Sequence, residues 1–118
     1  MSGEAHRLCA FDDITDGESA GFAIERADGS KIGIMAVRRG GAVFLYENSC
    51  PHIGTPLDFT PGRFLDIDRK YIICSTHGAL FRIDDGHCIS GPCAGDDLKP
   101  IAGRVDDGEV FAIVPPAP

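Results

Sequence analysis

The sequence predicts an all-β fold, an antiparallel sandwich or barrel. Three observations carry that prediction. Apolar residues gather in short runs rich in Val, Ile, Phe and Tyr, and turn signals separate the runs. Fifteen glycines and eight prolines in 118 residues punctuate the chain too often for long helices. No apolar pattern at helical spacing outlasts a turn or two; the nearest are residues 12–19 and 94–98.

In chain order, residues 7–14 alternate in part and read as a first strand with an irregular end. Asp16-Gly17-Glu18-Ser19 is a turn, and Gly21–Glu25 a short second strand. Asp28-Gly29 turns the chain into Lys31–Arg38, which pairs with Ala42–Glu47 across Arg39-Gly40-Gly41. Residues 53–63 hold Gly54, Pro56, Pro61 and Gly62 and cannot be helical. Phe64-Leu65 reads as a short strand, 66–70 as a polar turn and Tyr71–Ile73 as a short apolar strand. Ala79–Ile83 follows, turned by Asp85-Gly86 into His87–Ile89. After the loop Ser90–Gly95, residues 99–105 and 109–114 form a last hairpin across Asp106-Asp107-Gly108, leaving 115–118 as a frayed tail. Ten or so strands in one domain, residues 1–118, is the expectation.

The formal charge is −7 and the sequence pI about 4.8. Nucleic acid is excluded as a partner, because phosphate binding needs clustered Lys and Arg. An acidic surface serves solubility or steers the protein towards a basic patch on another protein. No apolar stretch approaches the ~20 residues of a membrane span. Residues 1–7 lack a charged segment followed by an apolar one, so no membrane and a cytoplasmic location are expected. In that compartment five cysteines, an odd number, point to metal or redox chemistry rather than a disulfide framework.

Cys50-Pro51-His52 and Cys74-Ser75-Thr76-His77 stand out. Each C-x-H or C-x-x-H pair leaves the end of a strand, and a glycine, Gly54 or Gly78, lies just beyond it. Coincidence is a poor account of two such loops, since isolated structural cysteines favour buried strands. Tetrahedral zinc accepts a Cys₂His₂ set. Zinc loops, however, usually leave two or more residues between ligands, and only one separates Cys50 from His52. That spacing suits ligands of different metal atoms, as in a [2Fe–2S] cluster with both cysteines on one iron and both histidines on the other. Gly54 and Gly78 would let backbone N–H groups approach the bridging sulfides.

Cys50–Leu57 and Cys74–Phe81 together resemble the two cluster loops of Rieske-type iron–sulfur proteins. Asp85–Cys93 is similar to the family's third loop, the Pro loop that covers the cluster, here with Pro92. Leu98–Ile101 and the final hairpin fit the family's return to its base sheet. The resemblance covers roughly residues 7–114. It implies an antiparallel base of sandwich or barrel form and a small cluster-binding subdomain, about 47–93, made by two metal loops and the Pro loop. It implies one [2Fe–2S] cluster per chain held by Cys50, His52, Cys74 and His77, with Gly54, Thr55, Thr76, Gly78 and Pro92 around it.

Two departures sort the subtype. Respiratory Rieske proteins carry a disulfide cysteine in each loop where this chain has Thr55 and Thr76. They also place a serine after the second His-Gly, where this chain has Ala79. Fewer donors to the sulfurs imply a potential near the low end of the family's range, ~−150 mV rather than ~+300 mV. The resemblance therefore implies a soluble ferredoxin of a ring-hydroxylating oxygenase system. It would be a monomer taking one electron from a flavoprotein reductase and passing it to a terminal oxygenase. No nucleophile–base pair and no 2-His-1-carboxylate motif is visible, so the chain itself is not expected to be an enzyme. The alternatives are a small Rieske subunit of an assimilatory nitrite reductase and a zinc-binding structural module.

Cys9 reads as a small buried hydrophobe. Cys88 and Cys93 are expected to remain thiols, with a mutual disulfide as the alternative. His6 and His87 show no partner pattern. Phe59, Phe64 and Phe81 either shield the cluster or pack the core. The pairs Asp84-Asp85 and Asp96-Asp97 read as solvated turns.

Overall fold

The computed structural model describes residues 4–26, 29–49, 57, 64–66, 68–74, 78–91 and 95–114. Among them are nine strands: β1 (Glu4–Ala10), β2 (Ser19–Glu25), β3 (Lys31–Arg39), β4 (Ala42–Glu47), β5 (Tyr71–Ile73), β6 (Leu80–Arg82), β7 (Cys88–Ser90), β8 (Ala102–Asp106) and β9 (Glu109–Val114). They form three antiparallel sheets of order β1-β9-β8, β2-β3-β4 and β5-β6-β7. The only helical turn among the described residues is a 3₁₀ turn at Phe11–Asp13, which ends β1. No helix there is long and apolar enough to cross a membrane.

The all-β prediction holds, and several boundaries move. The first strand runs from Glu4 to Ala10 rather than 7–14, because β9 pairs with it from Glu4↔Val114 to Ala10↔Glu109. The second starts at Ser19, opposite Val37, two residues before Gly21. The last hairpin starts at Ala102 and not at Lys99. Residues 99–101 lie along β4 instead: Glu47 N–H donates to the Lys99 carbonyl and Ile101 N–H to the Leu45 carbonyl, each at 2.9 Å. That segment joins the first two sheets into one base. Phe64-Leu65 is not a strand of its own but lies beside β5, with Leu65 bridged to Ile72 and Ile73 N–H donating to Phe64 O at 2.8 Å. The tail 115–118 lies outside the described residues.

Strand β3 decides how the interior is divided. Its run Ile34-Met35-Ala36-Val37 is buried throughout, which is how a strand covered on both faces reads. Side chains alternate along a strand. Ile32, Ile34 and Ala36 accordingly enter one core with Cys9, Ile14, Leu45, Ile101, Val110, Ala112 and Val114. Met35 and Val37 enter a second with Tyr46, Leu57, Phe64, Ile72, Cys74, Ala79, Phe81, Ile83, Cys88 and Leu98. β4 divides the same way: Val43 and Leu45 face the first core, Phe44 and Tyr46 the second. The β3–β4 hairpin is thus a wall between a base core and a core beneath the sheet β5-β6-β7.

Candidate metal centre

The second core is where the feet of the loops meet. β5 delivers Cys74, which is fully buried. Cys74 N–H donates to the Ala79 carbonyl at 2.9 Å, and Gly78 N–H donates back to the Cys74 carbonyl at 2.8 Å. These two bonds close the second loop on itself before β6 carries the chain away. Gly78 stands at φ +69°, in the left-handed region that favours glycine, and a Cβ there would meet nothing within 4 Å among the described residues. Conformation, not crowding, therefore selects this glycine.

The first loop leaves β4 at Glu47. Asn48 N–H donates to the Gly33 carbonyl at 2.8 Å and Ser49 N–H to the Glu47 carbonyl at 2.9 Å. At the far side Leu57 is fully buried in the second core, and its N–H donates to Oδ1 of Asn48 at 2.8 Å. The third loop leaves β7. Cys88 N–H donates to the Asp96 carbonyl at 2.8 Å, and Gly95 N–H donates to the Cys88 carbonyl at 3.2 Å. Gly91, at φ +100°, lies so close to the second loop that a Cβ there would come 2.7 Å from Ala79 Cα. Leu57, Cys74, Ala79 and Cys88 share one core, so the feet of all three loops converge.

Of the four sequence-predicted ligands, Cys74 is described; Cys50, His52 and His77 lie outside the described residues, as do Gly54, Thr55, Thr76 and Pro92. Among the described residues no three His, Cys, Asp or Glu side chains gather into a metal site. What is described fits the cluster. A thiol carried on a closed turn, buried among Phe64, Phe81, Ile72 and Leu57, supplies a sulfur donor in a dry, apolar setting.

Other expectations meet their outcome here. Cys9 is buried in the base core, and burial followed by the Asp13 charge pushes its thiol pKa up, as expected of a small hydrophobe. Phe64 and Phe81 are fully buried and pack the core that holds Cys74, which bears out the packing duty; Phe59 lies outside the described residues. Cys88 is buried, and its Sγ lies 3.2 Å from the Ser90 carbonyl; Cys93 lies outside the described residues. His87 is not without a partner: Nδ1 lies 2.6 Å from Asp97 Oδ1, across the closure of the third loop. Asp85 is not merely solvated either. It receives two hydrogen bonds from Arg82, at 3.0 and 2.5 Å, and one from His87 N–H, and these hold its carboxyl below the usual range, Arg82 foremost.

Three residues that position the loops escaped the sequence reading: Asn48, Gly91 and Tyr46. Tyr46, nearly fully buried, donates its hydroxyl to the Ile83 carbonyl at 2.6 Å, and Gly86 leaves room for its ring. An Asn two residues before Cys50, at a strand end, was the available signal for the first, since Asn side chains bond nearby backbone in turns.

Comparison with known proteins agrees. The family model of the Rieske [2Fe-2S] domain matches residues 4–113. The ferredoxin of carbazole 1,9a-dioxygenase from Nocardioides aromaticivorans IC177 superposes with a TM-score of 0.72 at 24% identity, over 96% of this chain and 98% of that one. A chain from a complex of reduced oxygenase and oxidized ferredoxin in carbazole 1,9a-dioxygenase does so at 0.70 and 23%, over 92% of each. The terminal oxygenase of carbazole 1,9a-dioxygenase from the same Nocardioides matches at 0.74 and 22%, over 98% of this chain but 31% of that one. At these identities the likeness is one of fold. No curated protein matches the chain. The match of the family model along nearly the whole chain places it in the Rieske [2Fe-2S] domain family, with a [2Fe–2S] cluster as its cofactor.

Proposed function

We propose that this protein is a one-electron carrier of the ferredoxin type, taking an electron from a flavoprotein reductase and delivering it to a terminal oxygenase. The observation that carries the reading is the superposition on a dioxygenase ferredoxin over 96% of this chain and 98% of that one. Oxygenase and ferredoxin also occur together in a solved complex of that system. On this reading the protein works in the cytoplasm as a component of an oxygenase system and turns over no substrate of its own. Residues 1–118 are one domain, with about 47–93 as its cluster-binding part.

Cys50 and Cys74 would hold one iron through sulfur, His52 and His77 the other through imidazole. Gly54 and Gly78 would let backbone amides approach, Thr55 and Thr76 stand where a respiratory protein has its disulfide, and Pro92 belongs to the covering loop. When bound, the cluster supplies reversible one-electron redox chemistry. The chain contributes a dry seat for the Cys74 sulfur and backbone and side-chain bonds that close the feet of three loops.

EPR of the dithionite-reduced protein with direct electrochemistry tests the reading. A Rieske-type signal and a potential near ~−150 mV are expected, because Ala79 has no hydroxyl to donate to a sulfide and the two threonines form no disulfide beside the cluster. A clearly positive potential at neutral pH would remove the low-potential assignment. Colourless protein loaded with zinc would remove the cluster. Reduction by a flavoprotein reductase alone supports the carrier, whereas copurification with a large reductase favours a subunit of a nitrite reductase.

A further inference from the structure

We propose that Asn48 is the positioning residue of the first ligand loop, its carboxamide oxygen closing the stretch of chain that carries Cys50 and His52. The proposal rests on the ligand assignment above. The two ligand loops are closed by different devices. The second is short enough to close through its own backbone, Cys74 to Ala79 and Gly78 to Cys74. The first must be held across residues 48 to 57, and there a side chain spans the mouth, with Leu57 N–H donating to Asn48 Oδ1 at 2.8 Å.

Both sides of this clamp are fixed. Asn48 continues β4 on the face of Phe44 and Tyr46, its N–H bonded to Gly33 O. Leu57 is fully buried in the core that also holds Cys74. The bond therefore ties the entry of the first loop to the seat of the second. Cys50 and His52 fall inside the clamp. Removing this bond takes away one constraint on the closure of residues 49–56 and so widens the range of positions open to both ligands.

The test compares wild type, Asn48→Ala and Asn48→Asp. Asp keeps an oxygen that can accept from Leu57 N–H; Ala does not. The readouts are the half-life of the visible absorption under chelator and the EPR g-values of reduced protein. The potential is not used, because Asp adds a charge. Asn48→Ala is expected to lose the cluster about tenfold faster, the worth of one hydrogen bond, with altered g-values. Asn48→Asp is expected to restore both. Wild-type behaviour in Asn48→Ala, or an Asp variant no better than Ala, overturns the proposal. Should Asn48→Ala fail to fold, amide exchange in wild type decides: a protected Leu57 N–H supports the clamp, and exchange at the open-chain rate overturns it. A wild-type protein without an iron–sulfur signal would strike the cluster reading instead, and Leu57 exchange would still judge the clamp.

Discussion

Tyr46 shows how one side chain can govern a loop it does not belong to. Its hydroxyl donates to the Ile83 carbonyl at the start of the β6–β7 turn, and burial, followed by the charges of Asp85 and Asp84, pushes its pKa from 10.0 up to about 12. Tyr46→Phe removes the donor and leaves a buried carbonyl unpaired, an expected loss of about 1–3 kcal/mol in denaturant unfolding. The pH dependence follows from the same bond. The folded protein holds the phenolic proton more tightly than the unfolded chain. This contribution is complete below pH 10 and disappears as pH rises to about 12. Over that window wild type is expected to lose roughly 2–3 kcal/mol more than Tyr46→Phe in parallel melts, and equal losses would contradict the assignment. Asp85 behaves oppositely. Its lowered pKa gives a contribution present at neutral pH and lost as pH falls through the carboxylate range, kept small by exposure.

Among the elements, β3 and β4 form the wall, and their alternation makes a sharper experiment possible than deleting core residues at random. Ile34 and Met35 are neighbours, both fully buried, and they face different cores. Ile34→Ala and Met35→Ala are each expected to cost about 2–5 kcal/mol. Only Met35→Ala opens space in the core that holds Cys74, so only it should shift the EPR signal or speed cluster loss. A spectral change in Ile34→Ala and none in Met35→Ala would show that the wall does not separate the two cores. This division also bears on what was legible in sequence. The β3–β4 hairpin and β9 were readable because their apolar runs and turns are local. The start of β8 was not, because Lys99–Ile101 takes its hydrogen bonds from β4, a partner some fifty positions away along the chain. The Cys74–Gly78 turn was readable from its motif, since the glycine answers a backbone need. The Asn48–Leu57 and His87–Asp97 pairs were hidden, each joining residues that only a closed loop brings together.

For the molecule as a whole, charge is the property most exposed to a partner. Eleven Lys and Arg against eighteen Asp and Glu give −7. Three of the eleven cations stand in close surface pairs, Arg7 with Glu109, Arg69 with Glu18 and Arg82 with Asp85. Such pairs add little stability, but they cancel positive charge locally and leave the acidic excess to set the long-range field. An approaching cation should therefore be drawn in and an approaching anion held off, until salt screens both beyond ~10 Å at 0.1 M. Stopped-flow oxidation of the reduced protein separates this from mere solubility. With cytochrome c, a basic oxidant, the rate is expected to fall by about tenfold or more between low and high ionic strength. With ferricyanide, an anion, it should rise. Rates flat with salt for both oxidants would mean that the acidic residues face away from where the electron leaves. The charge would then serve only to keep the protein in solution, and specificity for a redox partner would have to come from contacts other than long-range charge.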